Sequence, residues 1–102
     1  MKNGYYITST GKRVELEPTG EITLVEYNIL ELVIPDGVTT VTCSYNQITK
    51  LVIPDSVTHI NCRYNQITNL IIPNSVKTLF CDINVLDIIK YKDTNIDITL
   101  HI

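Results

Sequence analysis

Long apolar runs are missing from this chain of 102 residues. Nothing approaches the roughly eighteen consecutive apolar residues of a membrane-spanning helix. Leu51-Val52-Ile53 and Leu70-Ile71-Ile72 each stop at a proline. The opening MKNGYYITSTGKRVELEP has neither an apolar segment nor a small-residue cleavage site, so no secretory signal is expected. Basic residues are scarce too, eight against eleven acids for a net charge of -3. That balance lacks the clustered basic face that nucleic acid demands. The four glycines are scattered, which excludes a phosphate-cradling loop. Cysteines number three, an odd count that favours a reducing compartment. The expectation is a soluble protein of the cytoplasm, either of its source or of a host cell. Apolar residues make up 44% and charged ones 19%, so the chain has the composition to fold, with room for one core.

What is present is a repeat. Leu32 to Lys50 reads LVIPDGVTTVTCSYNQITK, Leu51 to Asn69 reads LVIPDSVTHINCRYNQITN, and Leu70 to Ile88 reads LIIPNSVKTLFCDINVLDI. Self-similarity at a fixed nineteen-residue period is the signature of a solenoid, built by stacking one small unit. Val41 and Cys43 face one way, while Thr40, Thr42 and Ser44 face the other. That alternation is the period of a short strand with one buried side. Asn46, Asn65 and Asn84 stand where the chain leaves each strand. A side-chain amide there can bond backbone of its own and the next turn, satisfying polar groups that no ordinary ladder reaches. The return path, Leu-Val-Ile-Pro, favours an extended, strand-free course over a helix. Asp36, Asp55 and Asn74 follow the prolines and suit a tight turn into the next strand.

The period continues outward in degraded form. Nineteen residues before Cys43 stands Leu24, with Ile22 and Ile29 in the Val41 and Ile48 columns. Tyr27 occupies the asparagine column with Asn28 beside it, which allows a slip of one. Ile96, Ile98, Leu100 and Ile102 alternate as a closing strand. Tyr5 to Thr8 and Arg13 to Leu16 flank a glycine-containing turn and predict a β-hairpin over the open N-terminal end of the core. The expected organisation is one domain over 1–102. Its parts are a hairpin cap (1–18), a degenerate repeat (19–31), three full repeats (32–88) and a closing half-repeat (89–102).

The pattern L-x-x-L-x-C-x-x-N-x-L, filled from Val38 to Ile48, Val57 to Ile67 and Val76 to Leu86, matches the leucine-rich-repeat signature. The run IPDSVTHINCRYNQIT resembles the short repeats of bacterial type III secreted effectors and, about equally, the FNIP repeats of amoebae and large DNA viruses. The resemblance implies a mainly β fold. It would be a short leucine-rich-repeat solenoid with a parallel sheet of about five strands, the hairpin cap, and a convex side that is extended rather than helical. It implies protein binding on the concave sheet face. Effector families can add a helical pair and a ubiquitin ligase domain. The sequence shows neither, so ligase activity does not carry over.

Cys43, Cys62 and Cys81 form one column, about one strand spacing of 4.8 Å apart, which suits a buried apolar stack better than a disulfide. Their spacing lacks the close pairs of a zinc site, and no metal or other cofactor is expected. The outward columns supply the candidate partner-binding residues: Tyr45, Tyr64, Arg63, Phe80, His59, Asn61 and Asp82. Tyr and Arg are frequent interface anchors, and an outward phenylalanine has no core to fill. The plain structural alternative has Tyr45 stacking on Tyr64 and Arg63 pairing with Asp82 across strands. No nucleophile, base and orienting group converge, so no enzyme is expected. The expected partner is therefore a protein rather than nucleic acid or membrane. A second possibility is self-assembly: the last strand, Ile96 to Ile102, offers an edge weakly guarded by Asp97, Thr99 and His101, and could pair a homodimer.

Overall fold

The computed structural model describes residues 3–82, 89–91 and 97–101, with side chains over 3–82 and 97–99. Asn84, Leu86, Ile96 and Ile102 lie outside the described residues. Eleven strands and no helix are found among those described.

Five strands make a continuous parallel front sheet: β3 (Glu21–Thr23), β5 (Thr40–Thr42), β7 (His59–Asn61), β9 (Thr78–Asp82) and β11 (Asp97–His101). Their register follows the sequence period without a slip, Glu21↔Thr40↔His59↔Thr78↔Asp97. The period of two then sends Ile22, Val41, Ile60 and Leu79 into the core. The degenerate first repeat thus keeps its register, and its Ile29 is fully buried in the Ile48 column.

The return path is not strand-free. β4 (Ile29–Val33) pairs in parallel with β6 (Lys50–Val52), and β8 (Leu70–Ile72) with β10 (Ile89–Tyr91). Proline ends these strands instead of preventing them. Leu-Val-Ile is rich in β-branched residues, and proline restrains the residue before it to extended geometry. The molecule is therefore a β-solenoid of about three turns, with one sheet in front and two at the back.

The hairpin forms as expected from β1 (Gly4–Thr8) and β2 (Arg13–Leu16). It lengthens the back sheet, β1 pairing antiparallel with β4 to give the order β2-β1-β4-β6. Tyr6 enters the core, with Val14 and Leu16 packed against it. Across the outer face of the hairpin, the Tyr5 hydroxyl donates to Glu31 at 2.6 Å, and the Arg13 guanidinium lies 3.8 Å from the Tyr5 ring centre. Gly4 is obligatory in this contact: a Cβ there would stand 2.1 Å from the Val33 carbonyl oxygen and 2.6 Å from Pro35.

Between the sheets lie stacked columns of repeat-equivalent residues: Leu32, Leu51 and Leu70; Val38, Val57 and Val76; Cys43, Cys62 and Cys81. Most have 0–5% exposure, so each turn completes the burial of the one before.

The stack is not uniform at the back. β4 and β6 share three paired positions, but β6 and β8 meet at one bridge, Lys50↔Asn69. The widening is gradual along the loop. Gln66 N–H reaches the Ile48 carbonyl at 3.0 Å and Thr68 N–H reaches that of Thr49 at 3.5 Å. The equivalent Thr49–Leu30 bond one turn earlier is 2.9 Å.

Candidate functional site

The front sheet and the loop along its C-terminal border carry most of the candidate residues. Their positions are set by the asparagines. Asn46 accepts from the backbone N–H groups of Tyr27 and Ile29 at 2.9 and 3.1 Å. Its amide donates to the carbonyls of Leu24, Cys43 and Ser44 at 2.8–3.1 Å. Asn65 accepts from Ile48 N–H at 3.0 Å and donates to Cys43, Cys62 and Arg63. The ladder therefore ties each turn to its own strand and to the preceding turn, not to the next one.

This tight exit forces the residue before each asparagine into the left-handed region. Tyr45 and Tyr64 both have φ 58°, and Glu26 has φ 62° one turn earlier. That conformation throws the two tyrosine rings off the sheet border. They stack with centroids 4.2 Å apart and planes 14° from parallel. Both stay exposed, at 48% and 39%. The Tyr64 phenol is pushed up from its usual range, first by its hydrogen bond with Tyr45 and then by partial burial.

Beside the tyrosines, Arg63 lies with its guanidinium carbon 5.6 Å from the Phe80 ring centre, and its Nε donates to Asn61 Oδ1 at 3.3 Å. The cross-strand pair of Arg63 with Asp82 does not form. Both Asp82 oxygens are taken by backbone, accepting from Tyr64 N–H at 2.8 Å and Asn65 N–H at 3.1 Å. One turn earlier the equivalent N–H groups of Tyr45 and Asn46 donate to the Arg63 and Tyr64 carbonyls. The Asp82 carboxylate thus braces the loop. The only trace of this in the sequence is an acid where the earlier repeats have Ser44 and Arg63. His59 is exposed, its Nδ1 2.8 Å from Thr58 Oγ1. Thr40, Thr42, His59, Asn61 and Phe80 surround a shallow hollow of about 180 Å³. Ser44, expected to face outward, is 5% exposed because the chain has already left the strand there.

On the opposite side of the sheet all three cysteines are buried and free. Burial raises the Cys43 thiol to about 12 and Cys81 to about 11, and raises Cys62 well above its usual value. No group of three or more metal-ligating side chains occurs among the described residues.

A second concavity went unforeseen. Where β6 and β8 part, a groove of about 1120 Å³ opens at the back, flanked by Val52 and Ile71, which are 43% and 65% exposed. Ser75 Oγ lies on it, buried without a partner. The equivalent Ser56 Oγ accepts from Gly37 N–H and donates to the Val38 carbonyl.

These features define a repeat protein of the β-solenoid class, with a polar-aromatic front face. More specifically, the FNIP Repeat family model matches residues 45–80, from the loop after β5 into β9. Over that stretch the chain is similar to FNIP repeats. The likeness to leucine-rich repeats and secreted effectors rests on the residue pattern alone. Neither a curated protein nor a solved structure matches the chain. No helix among the described residues is long and apolar enough to cross a membrane.

Proposed function

We propose that this chain is a protein-interaction module that binds a partner protein through its front face. The observation that carries the reading is the cluster formed by the exposed Tyr45–Tyr64 stack and the Arg63–Phe80 pair. Aromatic and arginine side chains give most interface energy when they are held in place before binding, because less entropy is lost on docking. Here the backbone of the loop and the Asn61 side chain hold them. Asn61 is thus a positioning residue, and Asp82 acts through the loop rather than on the partner. The reading assigns no catalytic step. Arg63→Glu combined with Phe80→Ala should abolish partner capture and leave the melting temperature nearly unchanged. Retained capture would remove the front face from consideration.

A second reading, self-pairing into a homodimer, is favoured by one feature: among the described strands, β11 lies at the edge of the front sheet. Light scattering in reducing buffer over a wide concentration range tests it. Thr99→Pro should reverse any dimer formed this way.

A further inference from the structure

Arg63 is the lone arginine or lysine on the front face among the described residues. No described carboxylate forms an ion pair with it. Asp82, in the same column of the next strand, is turned to the Tyr64 and Asn65 backbone N–H groups and makes no ion pair with it. Among the described residues the one ion pair is Arg13 with Glu15, far off on the hairpin. The Arg63 guanidinium is nonetheless oriented, by Asn61 Oδ1 on Nε and by the Phe80 ring. Its two terminal nitrogens make no hydrogen bond to the described protein. A guanidinium fixed on one edge and open on the other is the geometry that takes a carboxylate in bidentate fashion.

The charges around it narrow the partner further. Glu21 and Glu26 are exposed toward the N-terminal end of the face, and Asp97 is exposed at the C-terminal end. A strongly acidic segment would be repelled at both ends and by Asp82, whereas a single carboxylate can be matched by the open edge of the Arg63 guanidinium. The stacked tyrosines and Phe80 offer apolar surface on either side of that centre.

Building on the interaction reading above, we propose that the front face binds a partner-protein segment through one Asp or Glu side chain. That carboxylate sits on the Arg63 guanidinium, and apolar neighbours in the segment lie against Tyr45, Tyr64 and Phe80.

Random peptides displayed on phage, selected against the whole chain, provide the probe. Selected peptides should share one Asp or Glu among apolar residues. Replacing that acid by its amide should weaken binding about ten- to hundredfold for the unaltered chain. The same replacement should change little against Arg63→Gln, and binding should weaken as salt rises. Arg63→Lys should not restore affinity, because an ammonium cannot offer the planar fork. Peptides lost with Phe80→Ala yet indifferent to their acid would overturn the carboxylate proposal while leaving the front-face reading intact. Peptides indifferent to every front-face variant would overturn both. Failure to select any peptide, or a dimer of the chain itself that disappears with Arg63→Gln, would also overturn the partner-segment proposal. Circular dichroism of Arg63→Gln should match the unaltered chain, which separates loss of binding from loss of fold.

Discussion

Two seams in this solenoid have nearly the same sequence but differ in structure. The first joins the turn of β3 and β4 to that of β5 and β6. It is closed all round: front ladder, Asn46 in the loop, back ladder, and Ser56 in the bend. The second joins the turn of β5 and β6 to that of β7 and β8. It is closed in front and at Asn65 but open behind. The Ile34 N–H donates to the Val52 carbonyl at 3.1 Å in the first seam; in the second, Ile53 makes no such bond to Ile71. Yet Leu51 and Leu70 are 5% and 0% exposed. Burial of the core columns and closure of the back ladder are therefore separable. Apolar contact is non-directional and tolerates a wedge, whereas a hydrogen bond fades over a few tenths of an ångström.

The loop asparagines provide the severest test, because they close both seams alike. Asn46→Ala and Asn65→Ala should each cost about 1–3 kcal/mol or more, since several buried backbone groups lose their partner at once. Urea denaturation reads this directly; an unchanged midpoint for either variant would break the ladder account. The bend serines should then tell the seams apart. Ser56→Ala should cost about 1 kcal/mol for its two bonds, and Ser75→Ala close to nothing, because Ser75 Oγ has no bond to lose. Equal losses would mean that the second seam closes in solution.

Hydrogen exchange sharpens the same contrast without mutation. The Ile53 amide should exchange well before that of Ile34, while His59 and Thr78 on the front should be comparably protected. The smallest contrast between the seams belongs to the thiols. In the native protein Cys43 and Cys62 should both resist alkylation at neutral pH, as both are buried behind the front sheet, which is closed at both seams. Their contribution also sets an alkaline limit. The unfolded chain loses its thiol protons near pH 9, whereas folded Cys43 holds its proton to about 12. Stability should therefore be intact below pH 9 and fall progressively between 9 and 12. A melting temperature flat across that range would contradict the burial of the column.

The candidate face was legible in part. Residue type and column placed Tyr45, Tyr64, Arg63, Phe80, His59 and Asn61 on one side of one sheet, and the structure brings them there. Asp82 stands in an outward column, but it is a brace, because both of its carboxylate oxygens accept from N–H groups of the preceding loop. The return strands form despite their prolines, because proline acts only on its own residue and the one before, not along its whole segment.

What the sequence determined by itself is the register. A nineteen-residue period with apolar residues in alternate positions admits one alignment, since a slip of one would turn every core side chain to solvent. The buried asparagines follow from the same logic, as the loop carbonyls they reach recur with the period. The tertiary structure alone decided that Tyr45 and Tyr64 sit in the left-handed region, that Asp82 turns from partner to brace, and that one seam opens behind. The first follows from the tight loop exit that the asparagines brace, the others from how neighbouring turns sit against each other. Leu-Val-Ile-Pro and Leu-Ile-Ile-Pro carry no local signal that could set that arrangement.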